Sequence, residues 1–158
     1  MKNFYKKLSL LFFTVIISIP VLGQSSKDQK KSSSYHDFET ECLENTFDGS
    51  YIFYSWGKGS NKNEAIDQAK RNVLNDIFFK GVNKGCKLNP LIIDVNGEYK
   101  YKSYIYSFFQ KDYNDFVTIE KSPKNLFRSE QQTTYGVKVR INRETLKQKL
   151  IKDNIISK

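Results

Sequence analysis

A single histidine and two cysteines are scattered through 158 residues. His36, Cys42 and Cys86 do not stand at the short intervals that place four ligands around zinc. No Cys-x-x-Cys pair is present to supply a low-pKa redox thiol. A histidine-based triad would rest on His36 alone, which lies beside a polar stretch and reads as an exposed spacer. Neither the P-loop pattern nor the dinucleotide Gly-x-Gly-x-x-Gly pattern occurs; the nearest match, Gly57-Lys58-Gly59, reads as a tight strand-to-helix turn. Paired acids such as Asp112 and Asp115 lack the apolar surroundings that would separate their pKa values for glycosidase chemistry. The longest apolar run, residues 8–19, falls short of the roughly 20 residues of a membrane-spanning helix. These absences argue against an enzyme, and no cofactor or metal is expected.

That apolar run follows Lys2, Lys6 and Lys7 and ends at Pro20. Val21 and Gly23 occupy the small-residue positions of a signal-peptide cleavage site, with the cut between Gly23 and Gln24. Gln24 stands where lipid attachment would need a cysteine, so the expected product is unlipidated and has no stable membrane span after cleavage. An uncleaved anchor is the alternative. The expected location is the periplasm or the medium. Loss of three lysines leaves 23 basic against 17 acidic residues, a charge of +6. In an exported chain this balance reads as a lysine-rich solvated surface rather than a nucleic-acid site. Weak attraction to anionic lipids or acidic glycans stays open.

Residues 24–35 begin "QSSKDQKKSSS", too polar to offset the entropy of ordering, and read as a flexible tether. Residues 36–158 then suit one domain. Residues 50–56, "SYIFYSW", read as a strand with Ile52, Tyr54 and Trp56 on one face and Tyr51 and Phe53 on the other. Asn61 and Glu64 form a capping-box pattern that opens a helix. Ala65, Ile66, Ala69, Val73, Ile77 and Phe78 recur along it at helical spacing, and Gly81 stops it. Ala65 and Ala69 are small enough to let it lie close on a sheet.

Residues 91–95 form a short apolar patch that fits a strand or an ordered loop. Residues 98–109, "EYKYKSYIYSFF", place Tyr101, Tyr104, Ile105 and Phe108 on one helical face, although their aromatics also suit a strand; helix is the favoured reading. Residues 116–121 read as a strand with Val117 and Ile119 inward. Residues 135–141 read as its hairpin partner, across a long connection containing Pro123. Tyr135, Val137, Val139 and Ile141 face one way there, Lys138 and Arg140 the other. Asn142 caps a last helix that turns Leu146 and Leu150 inward. The expected fold is α+β, with a three- to four-stranded antiparallel sheet and the long and shorter helices on one face.

Two groups of residues invite a specific role. Cys42 and Cys86 lie beyond the cleavage site, in a compartment that permits a disulfide; two buried free thiols are the alternative. Tyr99, Tyr106 and Phe109 belong to a series of rings that one helical face cannot bury entirely, which leaves candidates for partner or glycan contact. The other reading of that series is core and edge packing.

Four segments, "WGKGSNKNEAIDQAKRNVLNDIFFKGV", "CKLNPLIIDVNGEYKYKSYIYSFF", "YNDFVTIEK" and "YGVKVRINRETLKQKL", together resemble a group of small exported or lipid-anchored proteins from Bacteroidota-type bacteria. The element order is more distantly similar to the N-terminal domains of flagellar-assembly and outer-membrane lipoproteins. The resemblance implies an envelope location and a non-enzymatic role, and brings no catalytic motif to these residues. The expectation is an exported protein that binds another envelope component, protein or glycan, as an accessory to secretion or surface assembly. The second reading is a soluble glycan- or peptidoglycan-binding module using exposed tyrosines.

Overall fold

The computed structural model describes residues 39–128 and 131–157. Gly23, Gln24, the tether and His36 lie outside the described residues. Strands β1 (Glu41–Asn45) and β2 (Ser50–Gly59) lead into helix α1 (Lys62–Asn75), which continues as one π-helical turn, Asp76–Lys80. Short helices α2 (Gly97–Lys100) and α3 (Lys102–Lys111) follow, then strands β3 (Thr118–Arg128) and β4 (Thr133–Asn142) and helix α4 (Arg143–Lys152). The sheet is antiparallel with order β1-β2-β4-β3. This is the expected α+β architecture, and residues 98–109 are helical.

The two central strands stay in register from Ser50 opposite Asn142 to Gly59 opposite Thr133. Period-two alternation turns Phe53, Val137, Val139 and Ile141 toward the helices, where all four are fully buried. Val73, Phe78, Leu146 and Leu150 meet them from the helical side. Phe108 ties α3 into this core, with ring centroids 5.4 Å from Phe78 and 5.6 Å from Phe116.

α1 starts as its sequence predicts. Asn61 Oδ1 accepts from the Glu64 N–H at 3.0 Å, and the Glu64 carboxylate reaches back to the Ser60 N–H at 3.0 Å. Gly57 and Gly59 correct one expectation: both lie within β2, and the turn proper is Ser60–Asn61. Their purpose is proximity. A Cβ on Gly57 would stand 2.0 Å from Ala65 O and 2.3 Å from Ala69 N, and one on Gly59 would stand 2.6 Å from Ala65 N. The helix backbone thus lies directly on the strand backbone. Ser55 donates to Ala69 O at 3.0 Å and the Asn72 amide to Trp56 O at 2.7 Å, so polar groups bridge the contact.

Two further expectations change at β3. The strand runs on through Pro123 to Arg128, so that proline lies inside the strand, and β4 begins at Thr133. A missing N–H is tolerated because β3 is an edge strand, and its register shifts on both sides of this region. Val117 is buried as expected, whereas Ile119 is 38% exposed at this irregular edge.

Cys42 of β1 and Cys86 of the segment after α1 form a disulfide. Cys42 N–H also donates to Lys84 O at 2.9 Å, so the bond and the backbone clasp the same segment to the outer strand.

Candidate functional site

The segment from the end of α1 to the start of α2 has little regular structure but is well fastened. Val82 and Leu88 exchange two backbone hydrogen bonds of 2.8 Å. Leu91 and Ile92 N–H groups donate to the carbonyls of Ile77 and Phe78 at 2.9 and 2.8 Å. Those carbonyls belong to the last turn of the long helix, where no further turn would satisfy them. The 91–95 patch is therefore an ordered loop, held by the helix end it caps.

That loop divides its apolar side chains. Leu91 and Ile92 point into the core, while Ile93 is 82% and Val95 90% exposed. Between the exposed pair, Asp94 fixes the loop to the next helix. Its carboxylate accepts from Lys100 Nζ and from the Tyr101 hydroxyl, each at 2.7 Å, and its carbonyl accepts from Gly97 N–H at 3.0 Å. The Lys100 ammonium first, then the Tyr101 hydroxyl, hold the Asp94 carboxyl below its usual pKa; the same contacts raise that of Lys100. Ile93 and Val95 are thus presented in water by a loop whose shape is already set.

Helices α2 and α3 extend this surface. Tyr101 N–H bonds to Gly97 O and Ile105 N–H to Tyr101 O, both at 2.9 Å, so the helical path continues across Tyr101. Tyr99 and Tyr106, seven positions apart, fall on one side of it at a rise of roughly 10 Å. Both are exposed, at 83% and 69%. Phe109 departs from its grouping with them and is buried. Three positions beyond Tyr106, it turns toward the Phe108 side, packs 5.8 Å from the Tyr113 ring and lies under the Arg71 guanidinium at 5.2 Å. Tyr101, Tyr104 and Ile105 are half-buried, on the face the spacing predicts.

Phe47 is a residue that sequence reasoning missed. It projects fully exposed from the β1–β2 turn, where Asp48 accepts from the Thr46 hydroxyl and the Ser50 N–H. The signal was a large ring set inside the turn chemistry of "NTFDGS". Two contacts relate this turn to Asn89, just before the 91–97 loop. The Asn142 amide donates to Asp48 O at 3.4 Å, and the neighbouring Arg143 donates to Asn89 O at 2.8 Å. The start of α4 thus joins both, so Phe47, Ile93, Val95 and Tyr99 belong to one end of the sheet. Within residues 80–102, five lysines accompany two acids, Asp94 and Glu98, and Asp94 is already paired with Lys100.

The remaining polar clusters serve the fold. Lys149 joins Asp112 and Asp153 at 3.3 and 2.8 Å, and Tyr104 donates to Asp153 at 2.7 Å. Asp112 is thus committed to α4 rather than to Asp115. Arg71 pairs with Asp67 and lies over the Tyr113 ring, whose hydroxyl also contacts Asp67. A shallow open depression beside the start of α1 is lined by Lys58, Gly59, Asn63, Glu64, Asp67 and Gln68. Among the described residues, no three His, Cys, Asp or Glu side chains are grouped to hold a metal ion, and no helix is long and apolar enough to cross a membrane. No protein-family model, curated protein or solved structure matches this chain.

Proposed function

We propose that this chain is an exported, non-enzymatic protein of the cell envelope that docks onto another envelope component, as an accessory to secretion or surface assembly. The observation that carries the reading is the presentation of Ile93 and Val95 in water by a loop fixed through Asp94, Lys100 and Tyr101. A loop already ordered loses little entropy on docking, so the apolar contact it makes is retained as affinity. The signal-peptide pattern ending at Gly23 supports export, and the Cys42–Cys86 disulfide fits an oxidising compartment. Fractionation of expressing cells tests the proposal. The wild type is expected with the envelope and Ile93→Asp/Val95→Asp in the soluble fraction; a soluble wild type overturns it.

Exposure of Tyr99 and Tyr106 along one helix side supports a second reading, a glycan- or peptidoglycan-binding module. Sedimentation with purified peptidoglycan tests it. Binding lost in Tyr99→Ala/Tyr106→Ala favours this reading, and an absence of sedimentation removes it.

A further inference from the structure

Resting on that docking reading, we infer that the component this end meets is a lipid surface, and that Phe47, Ile93, Val95 and Tyr99 enter the bilayer interface. The four side chains come from a β-turn, a loop and a helix, and polar neighbours Asp48, Asp94, Asn96 and Glu98 separate them. Each stands more than four-fifths exposed. They are separate apolar projections rather than a continuous face with a shaped rim. A protein partner draws its affinity from a close-packed, complementary core. A fluid bilayer accepts discrete projections without matching their outline, and its headgroup level suits tyrosine.

Charge points to the same occupant. On the segment that carries three of the four projections, Lys80 and Lys100 are paired with Asp76 and Asp94, which leaves the exposed Lys84, Lys87 and Lys102 against Glu98. Lysines beside an inserting apolar tip attract anionic headgroups, and their pull extends only about a Debye length from the surface. Each component of this end is modest alone. Apolar insertion and a basic flank reinforce each other, as in other reversible, surface-bound proteins. No spanning segment is required.

Flotation of the mature protein with protein-free vesicles tests the inference. Vesicles of phosphatidylethanolamine and phosphatidylglycerol are compared with phosphatidylcholine vesicles. The wild type is expected to float with the anionic vesicles, less with the neutral ones, and less as salt is raised. Ile93→Asp/Val95→Asp, and separately Phe47→Ser, should weaken flotation by about tenfold at an unchanged denaturation midpoint. Lys84→Gln/Lys87→Gln/Lys102→Gln should weaken binding to the anionic vesicles alone. A wild type that floats with neither vesicle overturns the inference, as does equal flotation of the aspartate variant. Envelope association that depends on Ile93 and Val95 but ignores pure lipid leaves the docking reading standing and identifies a protein or glycan partner instead. Loss of both removes both.

Discussion

At the contact between α1 and β2, Ala65 and Ala69 lie against Gly57 and Gly59 with the alanines wholly out of water. At the 91–97 loop, Ile93 and Val95 stand almost wholly in it. The interior is built there from the smallest side chains available, and large aliphatic ones are left outside a few residues beyond the helix. Small residues give backbone proximity, which hydrogen bonds from Ser55 and Asn72 then secure. The exposed pair contributes nothing comparable to packing. If the exposed pair docks as proposed, stability and docking reside in separate residues, and each can be changed without the other.

The largest expected effect falls on the interior side. Replacing both Cys42 and Cys86 by serine reopens a loop with a sequence separation of 44. Loop entropy predicts a loss of about 4 kcal/mol, read as a lower urea midpoint. An unchanged midpoint would contradict the loop-entropy account of this disulfide.

Gly57→Ala comes next. Its methyl would meet two backbone atoms of α1 that no side-chain rotation can move aside, so overpacking should cost about 3 kcal/mol. If Gly57→Ala is as stable as the wild type, the helix does not ride directly on the strand and the comparison loses its first half.

The smallest effect concerns the loop. Asp94 has its pKa lowered by Lys100 and Tyr101, so its contribution is complete above the ordinary value of 3.8 and is lost as pH falls through the lower folded value. Methyl NMR signals of Val95 should therefore hold steady from neutral pH to near that ordinary value and shift only below it. Asp94→Asn should remove this transition. A Val95 titration centred above 3.8 would contradict the Asp94–Lys100–Tyr101 arrangement.

Periodic elements were the legible part of the fold. The Asn61–Glu64 cap, the apolar face of α1, the alternation in β4 and the Asn142 cap each state their structure within one short window. Local pattern could not show that Gly57 and Gly59 face a helix backbone, because that requires knowing which element folds back onto the strand. Nor could it place Pro123 inside β3, since the tolerance comes from an edge position set by sheet order. The site was legible in part. Tyr99 and Tyr106 are exposed where their helical spacing leaves them, but Phe109 is drawn inward by Phe108, Tyr113 and Arg71, which arrive from more than one element. Ile93 and Val95 looked like the rest of their apolar run. Only the bonds from Leu91 and Ile92 to the end of α1 decide which half of the run is buried.

The separation of docking from stability is tested most directly by measuring envelope association and the denaturation midpoint together in Ile93→Asp/Val95→Asp. Association should fall by about tenfold or more, while stability changes by no more than about 0.5 kcal/mol. Unchanged association, or a loss that only follows a fall in stability, would contradict the account.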